Sequence, residues 1–148
     1  MTNDEKWMRL ALNEARLAVG KGEVPVGAVL VRGDDLLACA HNLRENNRSA
    51  TAHAELLAIE SGCAVLGGWR LQGCTLYVTL EPCPMCAGAI LNARLSRLVY
   101  AAKDPRAGAF GSLLNLNAYP LNHRVAVTAG VCADEALALL RGFFAERR

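Results

Sequence analysis

Two short segments far apart in this chain, Thr51-Ala52-His53-Ala54-Glu55 and Leu80-Glu81-Pro82-Cys83-Pro84-Met85-Cys86, carry side chains whose chemistry makes sense only if folding brings them together. One imidazole, two thiols and one carboxylate then surround a single point. A β-branched run, Thr75-Leu76-Tyr77-Val78-Thr79-Leu80, lies between the two segments, and each segment opens a stretch of helical character. A chain that uses both must direct two helix N-termini at one spot. This requirement limits the fold more than any bulk property does.

The rest of the sequence supplies elements compatible with that demand. Trp7, Leu10, Ala11, Glu14, Ala15 and Ala18 recur at near-helical spacing, predicting a helix from about Glu5 to Val19, with Gly20 or Gly22 to end it. Pro25 to Val31 reads as a strand, Arg32 to Asp35 as a turn, and Leu36 to Ala40 as the returning hairpin strand. A polar stretch from Asn42 to Thr51 precedes a helix from about His53 to Ser61. Pro84 begins a second helix that reaches Ala93, since proline suits a first helical turn. Strands follow at Arg97 to Ala101 and Arg124 to Thr128, with a Gly-containing loop from Lys103 to about Asn117 between them. A helix from Ala133 to Arg147 turns Leu137, Leu140 and Phe144 to one side. Strand–helix–strand units with crossovers of this length favour parallel pairing. The expected class is α/β, a mixed five-stranded sheet with helices on both faces, and residues 1–148 form one domain.

Composition narrows the setting. At 148 residues, 53% of them hydrophobic, the chain can bury a sizeable core without staples. No apolar run approaches the ~20 residues that span a bilayer, and Met1 to Lys6 lacks the pattern of a signal peptide. Cytosolic residence is the expectation, and the Asn47-Arg48-Ser49 glycosylation match is then fortuitous. Six cysteines in a reducing compartment do not build a disulfide framework. Only Cys83 and Cys86 form a close pair; Cys39, Cys63, Cys74 and Cys132 are expected in the core. A net charge of +2 permits a polyanionic partner without requiring one.

His53, Cys83 and Cys86 make a three-ligand zinc set, which leaves the fourth tetrahedral position for water. Cysteines three apart on a helical turn face the same side, and a helix N-terminus favours the thiolate that binds metal. Glu55, beside the metal but not bound to it, is free to carry protons. A redox Cys-x-x-Cys pair would leave His53 and Glu55 without a task. A structural zinc would need a fourth ligand, for which Cys74 or His41 is available. The catalytic reading uses all four residues: a zinc-activated water for hydrolysis at neutral pH.

His53-Ala54-Glu55 followed by Pro82-Cys83-Pro84-Met85-Cys86 resembles the His-x-Glu and Pro-Cys-x-x-Cys signature of the zinc deaminases. Further segments narrow the resemblance: Glu23-Val24-Pro25-Val26-Gly27-Ala28-Val29, Asn42, Thr79 to Ile90, Lys103 to Ala109 with Gly111-Ser112, and Asn122-His123-Arg124-Val125. With these the chain resembles, over nearly its whole length, the bacterial tRNA-specific adenosine deaminases of the cytidine deaminase superfamily. Those enzymes convert the wobble adenosine of an anticodon to inosine. The resemblance implies a three-layer α/β/α cytidine-deaminase-like fold, one Zn2+ per subunit and hydrolytic release of ammonia. It also implies a tRNA anticodon stem-loop as partner, a homodimer, and no membrane.

The same resemblance assigns roles by position. Glu55 is the catalytic acid–base, and His53, Cys83 and Cys86 hold the metal. Val26, Asn42, Ala54, Asp104, Asn122 and His123 bind substrate, with Asn42 at the purine edge and Asp104 accepting from the ribose 2′-hydroxyl that tells RNA from DNA. A basic rim of Arg94, Arg97, Lys103, Arg106, Arg141, Arg147 and Arg148, with Phe143 and Phe144 as stacking surfaces, is a further expectation. Two other readings stand beside this one. One is deamination of a free base or nucleoside such as guanine or cytosine; the other is a non-catalytic, zinc-stabilised RNA-binding module.

Overall fold

The computed structural model describes residues 1–147. Helix α1 (Asn3–Gly20) leads into the hairpin of β1 (Gly27–Arg32) and β2 (Asp35–His41). Helix α2 (Ala54–Leu66), strand β3 (Cys74–Leu80), helix α3 (Pro84–Asn92) and strand β4 (Arg97–Ala102) follow. A 3-10 turn (Leu116–Ala118), strand β5 (Ala126–Ala129) and helix α4 (Ala133–Ala145) complete the order. The five strands lie as β2-β1-β3-β4-β5. β1 is antiparallel to both of its neighbours, and β3, β4 and β5 are parallel. The expected mixed five-stranded α/β sheet is the observed one.

Strand periodicity divides the core into two layers. Ala28, Leu30, Leu76, Val78, Leu98 and Tyr100 face one side with Ala58, Ile59, Ala87 and Ile90 of α2 and α3. Val29, Val31, Tyr77, Val99 and Ala101 face the other with Trp7, Met8, Ala11 and Leu12 of α1 and Ala136 of α4. Each large aliphatic side chain buried this way contributes ~1.5–3 kcal/mol. Close approach of helix to sheet depends on two glycines. A Cβ at Gly27 would lie 2.6 Å from the backbone nitrogen of Ala15 in α1, and one at Gly62 would run into Leu30.

Several boundaries differ from the sequence expectation for local reasons. Helix α1 starts at Asn3 because Thr2 caps it, accepting from the Glu5 amide at 3.1 Å, while its own hydroxyl donates to the Glu5 carboxylate. Helix α2 continues to Leu66 and ends at Gly67, which adopts the left-handed conformation with φ 73°. β5 begins at Ala126, two residues later than expected, and Val125 is buried in the core instead. In α4 the buried aromatic is Phe143, whereas Phe144 is 50% exposed. Both neighbouring stripes of this helix are apolar, so periodicity alone left its rotation open. Of the four cysteines expected in the core only Cys74 is buried; Cys63 and Cys132 are half-buried. Cys39 is exposed, because Ala38 and Ala40 take the inward positions on β2.

The strand directions determine where a site can form. β2, β3, β4 and β5 all run one way and β1 runs the other. The segments that enter β1 and leave β2, β3 and β4 therefore gather at one edge of the sheet. Open α/β sheets bind ligands at this carboxyl edge.

Candidate active site

At that edge, His53 and Cys83 are the N-cap residues of α2 and α3. Neither uses its side chain to cap its helix, so both are free to face a common point. Nδ1 of His53 lies 3.6 Å from Sγ of Cys83 and 3.3 Å from Sγ of Cys86. The three ligand atoms sit within 4.8 Å of one another, a spacing that suits a single metal ion. Among the described residues neither Cys74 nor His41 joins this group: Cys74 lies at the start of β3, and Nδ1 of His41 faces Glu14 at 3.4 Å. Three ligands and no fourth is the donor set of an open metal site.

The closeness of these groups governs their titration, and among the three ligands only Cys83 is driven toward its metal-binding form. The hydrogen bond from Cys86, reinforced by His53, holds Cys83 down at about 4 against the effect of burial. Cys86 is pushed up by its hydrogen bond to Cys83 and by burial. The hydrogen bond to Cys83 raises His53, with the Glu55 charge adding to it. Burial pushes the Glu55 carboxyl up, and Glu55 is only 4% exposed in the first turn of α2. A carboxyl raised in this way takes up a proton more readily than an exposed one, as a proton carrier must.

A cavity of about 190 Å³ opens onto the cluster. It is smaller than the ~300–1,000 Å³ pockets of drug-sized ligands, and its size suits one inserted ring. Val24 and Val26 line it from the entry to β1, and Asn42 and Arg44 from the exit of β2. His53, Ala54 and Glu55 of α2, with Leu80, Glu81 and Cys83, form the floor, while Asp104 and Ala107 close it after β4. Val26, Asn42, Ala54 and Asp104, four of the six residues expected to bind substrate, thus line one cavity. Asn42 uses Oδ1 to accept from the Arg44 amide at 3.2 Å. Asp104 uses Oδ1 to accept from Arg106 and Ala107 amides at 3.0 and 3.3 Å; its Oδ2 has no hydrogen-bond partner among the described residues.

Asn122 and His123 lie outside this cavity. They precede β5, at the opposite edge of the sheet, where Nε2 of His123 donates to the Leu95 carbonyl at 2.6 Å. Arg97 also belongs to that edge, in a two-pronged bond to Asp4 at 2.8 and 2.7 Å. Arg94 donates to the Leu91 carbonyl at the end of α3 and stacks near Trp69. Arg147 lies 3.7 Å over the Phe143 ring. Arg148 lies outside the described residues.

Two buried carboxylates unremarked in the sequence hold the cavity's walls. Glu23 accepts from the Glu45 and Asn46 amides and from the Asn46 side chain, at 3.1, 2.8 and 2.7 Å. Burial raises its pKa, but these bonds outweigh burial and bring it below the usual value. Glu81 accepts from the amides of Asp104, Phe110 and Ser112, each at 3.1 Å, and from the Ser112 hydroxyl. The available signal was an acidic residue set against an apolar strand: Glu23 before Val24-Pro25-Val26, and Glu81 after Leu80.

Comparison with known proteins agrees with this architecture. The MafB19-like deaminase family matches residues 2–148. A tRNA-specific adenosine deaminase of Bacillus subtilis (strain 168) is 50% identical over 149 residues, covering 100% of this chain and 92% of that protein. A solved structure from work on A-to-I editing by tRNA:A34 deaminases is 44% identical with a TM-score of 0.89, covering 91% of this chain and 99% of the other. A guanine deaminase from Nitrosomonas europaea is 28% identical with a TM-score of 0.80, covering 98% and 86%. The chain belongs to the MafB19-like deaminases and, within them, to the tRNA-specific adenosine deaminase enzymes.

Proposed function

We propose that this protein hydrolytically deaminates the wobble adenosine of a tRNA anticodon loop to inosine, with release of ammonia. The observation that carries the reading is the cluster of His53, Cys83 and Cys86 beside a cavity sized for one base, which His53, Cys83 and Glu55 line. Full-length identity to the Bacillus subtilis enzyme supports adenosine in tRNA as the substrate.

The donor set of one imidazole nitrogen and two thiol sulfurs fits zinc. His53, Cys83 and Cys86 would hold the ion, which when bound would supply a water of lowered pKa at neutral pH. Glu55 takes one proton from the attacking water and delivers it to the ring nitrogen, then takes the second from the hydroxyl now on the ring carbon and delivers it to the amine, which departs as ammonia. Val26 and Ala54 flank the ring, and Asn42 offers its side-chain amide to the purine edge. Oδ2 of Asp104 accepts from the ribose 2′-hydroxyl. The adenosine must leave the base stack to enter, which an unpaired loop base does at low cost.

A homodimer belongs to the same proposal. Asn122 and His123 stand at the far edge of the sheet, so their contact with bound RNA is assigned to a second copy of the chain. Among the described residues no helix is long and apolar enough to cross a membrane; residence in the cytoplasm is proposed with the tRNA substrate. The test is incubation of zinc-loaded protein with an anticodon stem-loop carrying a wobble adenosine, and in parallel with guanine, cytosine and cytidine. Inosine in the RNA supports the reading. Ammonia from a free base, with no inosine in RNA, overturns it in favour of the free-base reading.

A further inference from the structure

Glu81 is the last residue before Pro82-Cys83, and its carboxylate is 2% exposed. Four hydrogen bonds converge on it from the segment after β4: the Asp104, Phe110 and Ser112 amides and the Ser112 hydroxyl. The segment wraps so closely that a Cβ on Gly108 would lie 2.5 Å from Oε1. Only glycine fits there. The Asp104 amide is bonded to Oε1, and the Asp104 side chain turns back onto its own loop through Oδ1 alone. Oδ2 remains for a ligand in the cavity that Asp104 lines. The position of that oxygen is therefore set by a carboxylate two residues from a metal ligand.

We propose that Glu81 is a positioning residue that sets the site's preference for ribose over deoxyribose by fixing Asp104 through its backbone amide. The inference rests on the RNA deaminase reading above. A carboxylate oxygen shifted by a fraction of an ångström makes a poor hydrogen bond, because such bonds weaken steeply with distance and angle. Glu81→Gln keeps the shape but turns an N–H donor toward the amides, so the segment must move. Glu23 is the matched control. It is a buried carboxylate holding the Glu45 and Asn46 backbone, and all its hydrogen bonds among the described residues go to those two residues.

The experiment measures kcat/KM on two stem-loop RNAs, identical except that one carries 2′-deoxyadenosine at the reactive position, with metal content determined in parallel. A hydrogen bond to a charged group predicts a ribose preference of about tenfold or more in the parent enzyme. Glu81→Gln lowers that ratio toward one while one zinc per chain is retained; Glu23→Gln keeps the parent ratio. Ser112→Ala removes one of the four bonds and moves the ratio the same way by less, which serves if Glu81→Gln does not fold. An unchanged ratio in whichever of these two variants folds overturns the proposal, as does an equal loss in Glu23→Gln. A parent enzyme that makes inosine with no ribose preference sinks this proposal alone. No inosine in either RNA sinks the deaminase reading itself.

Discussion

Nδ1 of His53 lies 3.3 Å from Sγ of Cys86 although 33 residues separate them in the chain. The contact exists because α2 and α3 both begin at the carboxyl edge of β3, one before the strand and one after it. Removing either side chain should therefore dismantle the metal site. Cys86→Ala is expected to lose stoichiometric zinc, measured by atomic absorption, and to lose activity with it. The same loss should follow chelation of the parent protein, with recovery when zinc is restored.

Glu55 is beside this cluster but outside the ligand group. Glu55→Gln is expected to bind zinc normally and to turn over ~10²–10⁴-fold more slowly, the usual contribution of a positioned proton carrier. Loss of zinc in that variant would show that Glu55 is a ligand.

Gly27 brings α1 onto the sheet at backbone distance. Gly27→Ala is expected to cost ~1–3 kcal/mol, the usual range for overpacking a filled interior. Urea unfolding reads this directly as a lower midpoint at an unchanged m-value.

Acid should loosen the wall that Glu23 holds. Its folded pKa lies below the usual value, because hydrogen bonds from Asn46 and Glu45 outweigh the effect of burial. A depressed carboxyl contributes its stabilisation above the unfolded pKa of ~4.3 and loses it as pH falls through the folded value. Asp4 is lowered by its bond to Arg97 and acts in the same direction. Tm should therefore drop as pH falls from about 5 to 3. Glu23→Gln should lower Tm at pH 7 and flatten that acid slope; an equally steep slope would exclude Glu23 as a contributor.

The metal cluster was legible because its chemistry is local: two short motifs name all four residues, and only their meeting required the fold. The parallel pairing of β3 with β4 followed from the length of the helical crossover between them. What escaped depended on surroundings that residue types do not encode. Phe143 and Phe144 lie on adjacent apolar stripes, so the buried one is chosen by packing against the sheet. Cys39 points outward because of the phase of β2. Glu23 and Glu81 bind backbone amides of distant loops, which leave no mark in composition. That Asn122 and His123 stand where β5 begins, at the edge away from the cavity, is likewise set by the fold and not by their residue types.

The site that His53, Glu55, Cys83 and Cys86 build is proposed to deaminate one unpaired adenosine in RNA. The most direct measurement is inosine formation in an anticodon stem-loop with a wobble adenosine, against the same hairpin with that adenosine base-paired in the stem. Stoichiometric inosine and ammonia from the loop substrate, and none from the paired one, is the predicted result. Ammonia from free guanine or cytosine, with the loop adenosine left intact, would contradict it.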